Sequence, residues 1–233
     1  MALPKLNNVP KYEVVIPSTQ QTVRFRPYLV KEEKVLMLAM ESQDTQQALN
    51  AVVDTIESCV EDGIDKSKLT TFDVEYLFTR IRAKSVGEGA KVNLKCSECE
   101  TPNEMIIPIE EIKVDVPDIS NKISITDDIH VTLKWPRYND IMDLNDFKSQ
   151  TEMTFKMIIR CMESLETGDE RIMVKDEPES EVVEFIESLN SEQFGKIREF
   201  VEAMPQLKHK IDFTCINCNH ENKIELQGMN DFL

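Results

Sequence analysis

KVNLKCSECETPNEMIIPI (residues 91–109) and KIDFTCINCNHENKIEL (residues 210–226) are the two stretches on which the fold turns. Each opens on Lys and an alternating pair of apolar residues, reaches CxxC, passes a polar turn containing Asn and ends in a second short strand. A CxxC found alone can be a redox couple, half of a metal site or an ordinary hairpin turn. Found twice in the same setting, Cys96 and Cys99 with Cys215 and Cys218 form a set of four thiols with metal-ligand spacing. Two intervening residues wrap the backbone so that both sulfurs point at one ion, and amides in the turn can hydrogen-bond the thiolates. Four sulfurs make a tetrahedron, and soft thiolates in that geometry suit a structural Zn2+.

Other chemistries fit the residues less well. A thioredoxin-like pair needs a CxxC that opens a helix, whereas here turn residues and a strand follow. An iron–sulfur cluster would accept four cysteines, but nothing else in the chain speaks for electron transfer. Four thiols without a metal remain a reading. A catalytic zinc keeps one position open; His220 follows Cys218 closely, but with a fourth cysteine available it is read as an outer or exposed residue. His130 and His209 lie in strand-like runs without a partner set.

Between Cys99 and Cys215 lie 115 residues, too many for a local zinc ribbon. Reading outward from each knuckle supplies the reason. VVIP (14–17) and TVRFRP (22–27) read as a hairpin. Helices follow over 30–42, with Val30, Val35, Met37 and Leu38 toward the core, and over 48–61, with Leu49, Val52, Val53, Ile56, Cys59 and Val60 inward. A third, over 70–85, opens on a Thr70 cap with Asp73 and buries Phe72, Val74, Leu77, Phe78 and Ile81. In the second half the order recurs: strands over 123–136, helices over 138–150 and 153–169, an acidic loop over 170–181, and two helical segments over 182–205. The last of these is capped by Ser191, with Phe194, Ile197, Phe200 and Val201 inward.

The expected fold is therefore α+β, built of two similar repeats, 1–116 and 117–233. Each has a β-hairpin, about three helices and a CxxC knuckle hairpin, and the two knuckles share one metal. Cys59 and Cys161 occupy matching places on apolar helix faces and read as core, as do Met37, Met40, Met153 and Met157. The apolar end of the tail, Phe232 and Leu233, reads as docking in a partner or as covering the chain's own core.

Composition narrows the function. Forty-three acidic against 27 basic residues give a net charge of −16, without a basic run, which argues against nucleic acid as a direct ligand. No signal-peptide core or stretch of membrane-span length is present. The expected compartment is a cytoplasm, where cysteines are read as ligands or core rather than disulfides. No phosphate loop, GxSxG or HExxH occurs, and paired acids such as Glu32 with Glu33 or Asp127 with Asp128 carry no specificity in so acidic a chain. The chain reads as a non-enzyme.

TVRFRPYLVKEEKVLMLAMES (22–42), the helices and CxxC after it, and the terminal FTCINCNHENKIELQGMNDFL (213–233) resemble the baseplate hub subunit family of T4-type contractile-tailed bacteriophages. The resemblance covers nearly the whole chain. It implies a structural subunit or assembly factor of the baseplate hub, acting in the infected cell's cytoplasm, with the virion tail baseplate as a second location if it is retained. Its partners would be other hub or tail proteins. The alternative it leaves open is a chaperone for a tail or tape-measure protein, absent from the finished particle. It supplies no catalytic residues.

Overall fold

The computed structural model describes residues 9–61, 63–142, 149–228 and 231. In chain order the elements are β1 (Tyr12–Val15), β2 (Thr22–Phe25), α1 (Val30–Glu41), α2 (Thr45–Cys59), α3 (Thr71–Val86), β3 (Gly89–Lys95), β4 (Pro102–Pro108) and β5 (Lys113–Val114). There follow β6 (Lys122–Ser124), β7 (Ile129–Leu133), α4 (Tyr138–Ile141), α5 (Gln150–Cys161), β8 (Met162–Thr167), β9 (Glu170–Met173), α6 (Glu179–Ser188), α7 (Ser191–Glu202), β10 (Leu207–Thr214) and β11 (Glu221–Gln227). The fold is mixed α+β, with seven helices and several small antiparallel sheets among the described residues. Two compact units are present, residues 1–115 with 206–233, and residues 116–205. The apolar tail residues Phe232 and Leu233 and part of the helix expected over 138–150 lie outside the described residues.

In the first unit, α2 and α3 form for the reasons their sequences give. Asp44 caps α2 by accepting from the Gln46 and Gln47 amides at 2.9 and 3.1 Å, and Val52, Val53, Ile56 and Cys59 are buried along one face. Thr70 and Asp73 make a reciprocal capping box on α3, with Phe72, Val74, Leu77, Phe78 and Ile81 all buried. Asp73 is itself fully buried, accepting from the amide and hydroxyl of Ser18 at 2.9 and 2.6 Å and from those of Thr70 at 3.0 and 2.7 Å. Those bonds tie the β1–β2 turn to the start of α3.

The expected face of α1 is overturned. Val30, Val35, Met37 and Leu38 are 78%, 51%, 57% and 56% exposed, while Glu32 and Leu36 are buried. Polar bonding decides the rotation. Glu32 accepts from the Leu29 amide at 2.9 Å and pairs with Arg26 at 2.8 Å, and Arg26 also donates to the Ser58 carbonyl at the end of α2 at 2.9 Å. Burying an ion pair with this many hydrogen bonds turns the apolar flank outward. Met40 and Met153 are also exposed rather than core.

The second unit departs further from expectation. The helix expected over 153–169 stops at Cys161, and the chain turns directly into β8, central in a four-stranded sheet ordered β6-β7-β8-β9. The stretch expected as an acidic loop over 170–181 holds β9 and starts α6. MESLET alternates with period two, and Gly168 takes φ +59° in the β8–β9 turn, a conformation that costs glycine little. The cap of α7 is Asn190, one residue before the expected Ser191. Val131, Leu133, Ile158 and Ile197 fill this unit's core, and Trp135 stacks on Phe200 at 4.2 Å.

The two units share local wiring. The Arg26 amide donates to the Cys59 carbonyl at 3.0 Å, and the Lys134 amide to the Cys161 carbonyl at 2.7 Å. Arg26 pairs with Glu32 and Lys134 with Asp140; both carboxylates also accept from the amide three residues earlier. Phe25 bridges Val60, as Leu133 pairs with Met162, in each case just after the helix-ending cysteine. Asp73 bonds the β1–β2 turn, and Gln193, at the same place in α7, donates to Ile125 in the β6–β7 turn at 3.2 Å.

Candidate metal centre

The centre lies wholly in the first unit, at the tips of the β3–β4 and β10–β11 hairpins. Both hairpins have the same register. Lys95 faces Pro102 and Leu94 faces Asn103 in one; Thr214 faces Glu221 and Phe213 faces Asn222 in the other. Beneath them Leu94, Ile107, Ile211, Phe213 and Leu226 pack in one buried cluster, fixing the alternation that sends each CxxC to the same end. β10 also pairs with β5, through Leu207↔Val114 and Lys208↔Lys113, a strand the sequence did not reveal.

The turns are built alike. Cys96 N–H donates to the Thr101 carbonyl at 3.0 Å and Glu100 N–H to the Cys96 carbonyl at 3.0 Å; Cys215 N–H donates to His220 at 2.9 Å and Asn219 N–H to Cys215 at 3.1 Å. Glu100 and Asn219, each just after the second cysteine, take left-handed φ of 55° and 57°. That conformation turns the chain back into the second strand, so that the residue after it, Thr101 or His220, accepts from the amide of the first cysteine.

All four Sγ atoms, of Cys96, Cys99, Cys215 and Cys218, lie within 4.8 Å of one another. Cys96 approaches Cys218 at 3.6 Å and Cys99 approaches Cys215 at 3.6 Å, so sulfurs of opposite knuckles are in contact. A tetrahedral zinc with bonds of about 2.3 Å sets its sulfurs about 3.8 Å apart, so the cluster has the dimensions of such a site. Four cysteines placed like this could hold a metal ion. Cys96 and Cys215 are buried, Cys99 is half-buried and Cys218 exposed.

Two of the thiols, Cys96 and Cys99, are set for ionisation, and Cys218 is set against it. The Thr101 hydroxyl and amide, with Cys218 and Asn217, bring the Cys99 thiol down to about 6 against the cost of desolvation. Burial pushes Cys96 up, but amides of Cys99 and Glu98 and the Asn222 side chain outweigh it and lower its pKa. The His220 amide pulls Cys218 down, yet its three neighbouring sulfurs and desolvation push it up to about 12. Crowded thiols that cannot all ionise together are relieved by a divalent cation, and metal binding then releases protons.

Of the residues expected elsewhere, His220 is exposed and contributes its backbone; His130 bonds Ser124 Oγ at 3.0 Å, and His209 lies 3.9 Å from Glu111. Cys59 and Cys161 are buried helix ends outside the four-sulfur group. Sequence reading missed the polar groups around the sulfurs. Thr101 lies 3.2 Å from Cys99 Sγ, Asn217 Nδ2 lies 3.8 Å from it, and Asn103 and Asn222 are buried beside the knuckles. The Asn in each polar turn was the available signal.

No helix among the described residues is long and apolar enough to cross a membrane. No curated protein and no solved structure matches the chain. Among protein families, the model described as T4 bacteriophage base plate protein matches residues 9–233.

Proposed function

Because the chain belongs to the T4 bacteriophage base plate protein family, we propose that it is a non-enzymatic structural or assembly protein of the baseplate hub, clamped by one structural Zn2+ on Cys96, Cys99, Cys215 and Cys218. The observation that carries this reading is the convergence of four sulfurs from two distant CxxC turns in hairpins of identical register. A four-sulfur zinc has no open position for a substrate, so its role is to cross-link. Joining turns that far apart in sequence constrains the unfolded chain, and the ion contributes to folding because the site exists only in the folded state.

The same reading takes the chain as an internal duplication, with repeats 1–116 and 117–233. Matching hairpin registers, matching Arg26–Glu32 and Lys134–Asp140 pairs, and matching helix-ending Cys59 and Cys161 support it. The Phe25↔Val60 bridge of the first repeat corresponds to Leu133↔Met162, which the second repeat extends into β8 and β9.

The partners on this reading are other hub or tail proteins, met in the infected host's cytoplasm, and a net charge of −16 favours basic surfaces on them. Affinity capture of the tagged protein from infected cells should return baseplate or tail components; capture of none would remove the assembly role. Mass spectrometry of purified particles then separates a retained hub part, which is present, from a chaperone, which is absent. Elemental analysis of purified protein should give about one zinc per chain. Well under half an equivalent with the fold intact would sink the clamp.

A further inference from the structure

Asn103 in β4 and Asn222 in β11 are the two buried asparagines among the described residues, each 2% exposed. Each reaches across to the opposite knuckle. Asn103 Oδ1 accepts from the Ile216 amide at 2.9 Å, and Asn222 Oδ1 accepts from the Ser97 amide at 2.9 Å and the Ser97 hydroxyl at 3.0 Å. Ser97 and Ile216 each follow the first cysteine of their turn. Asn103 Nδ2 donates to the Thr101 carbonyl at 2.8 Å, lies 3.4 Å from the Leu94 carbonyl and approaches Cys215 Sγ at 3.9 Å. Asn222 Nδ2 donates to the His220 carbonyl at 3.0 Å and approaches Cys96 Sγ at 3.6 Å.

The pattern is reciprocal: each amide takes the backbone N–H beside the other knuckle's first cysteine and offers an N–H to that cysteine's sulfur. A carboxamide alone supplies acceptor and donor together; aspartate would keep the acceptor but bring a negative charge against thiolates, and leucine would keep only the volume. We propose that Asn103 and Asn222 are the positioning residues of the metal centre. They fix the two knuckles in register and donate to the Cys96 and Cys215 sulfurs, so they govern how tightly and how long the ion is held. This rests on the reading that the four cysteines bind a metal.

The test compares wild-type protein with Asn222→Asp, Asn103→Asp and Asn222→Leu. Three measurements are made: zinc per chain, the rate of zinc transfer to a chromophoric chelator, and the sulfur-to-metal charge-transfer band after substitution by Co2+. The expected result is a folded Asp variant that still loads the metal but binds it about 10–100-fold more weakly and releases it correspondingly faster. Its charge-transfer band moves to lower energy, because a sulfur that loses an N–H donor gives up an electron more easily. Asn222→Leu, which also loses the Ser97 brace, releases zinc faster still. Asp variants with wild-type release and an unmoved band would overturn the positioning role while leaving the metal centre standing. Wild-type protein that takes up neither Zn2+ nor Co2+ would overturn the metal reading beneath it.

Discussion

Burial pushes the Cys59 thiol up to about 11 and the Cys161 thiol up to about 12, although Arg26 and Lys134 pull the other way. Both are raised above the ordinary 9.0, so their contribution to stability is complete below that value and is lost as the pH climbs toward 11 and 12. Native protein treated with iodoacetamide near pH 8 should therefore leave both unmodified. Chelation should expose Cys96, Cys99, Cys215 and Cys218 to the reagent, while Cys59 and Cys161 wait for denaturant; peptide mass spectrometry reads the order. Glu32 behaves oppositely. Burial raises its pKa, but Arg26, the Leu29 amide and Lys31 outweigh that and hold it below the usual 4.5. Its stabilisation is present above 4.5 and is lost as the pH falls through its lower folded value. Replacing Glu32 by Gln should cost about 1–3 kcal/mol in urea unfolding at neutral pH, with the difference shrinking in acid. That Cys96, Cys99, Cys215 and Cys218 come together was legible because CxxC spacing is a local pattern that occurs twice. The carboxamides that brace them were not, since an Asn in a turn looks alike whether it is solvated or buried against another hairpin.

At the level of elements, helices declared themselves where cap and apolar face agreed, as in α3 with Thr70, Asp73 and its run of buried residues. In α1 they disagreed, and the pairing of buried Glu32 with half-buried Arg26 decided which face turned inward. Leu36→Ala should then cost about 2–5 kcal/mol, while Leu38→Ala, on the flank that periodicity favours, should stay within about 0.5 kcal/mol; chemical denaturation distinguishes them. β8 was hidden for another reason. A strand directly continuing a helix leaves no Gly or Pro at the junction, and the helical pattern of MTFKMIIRC runs into MESLET without a break. Gly168 was the one marker of the turn beyond it, and replacing it with Val should destabilise the β8–β9 hairpin by about 1–2 kcal/mol, because φ +59° is strained for a β-branched residue.

Across the whole molecule, order along the chain was readable and partnership was not. Hairpins, helices and the two CxxC turns could be seen in sequence, but that residues 206–233 pack with residues 1–115 depends on pairings such as Leu207↔Val114, which leave no local trace. Each unit has its own core, and Trp135, the only tryptophan of the chain, belongs to residues 116–205. Removing metal with a chelator, or by Cys215→Ser, should thus lower far-UV circular dichroism while the Trp135 emission maximum stays put. A red shift at the same chelator concentration would mean that the two units melt as one. The strand pair that frames residues 116–205 also has a mechanical side. The chain leaves through Val114 and returns through Leu207, antiparallel neighbours, while the four sulfurs sit beyond Thr214 at the opposite end of β10. Tension on residues 116–205 would be taken first by the short β5–β10 ladder, which can peel open like a fuse before any load reaches the thiolates.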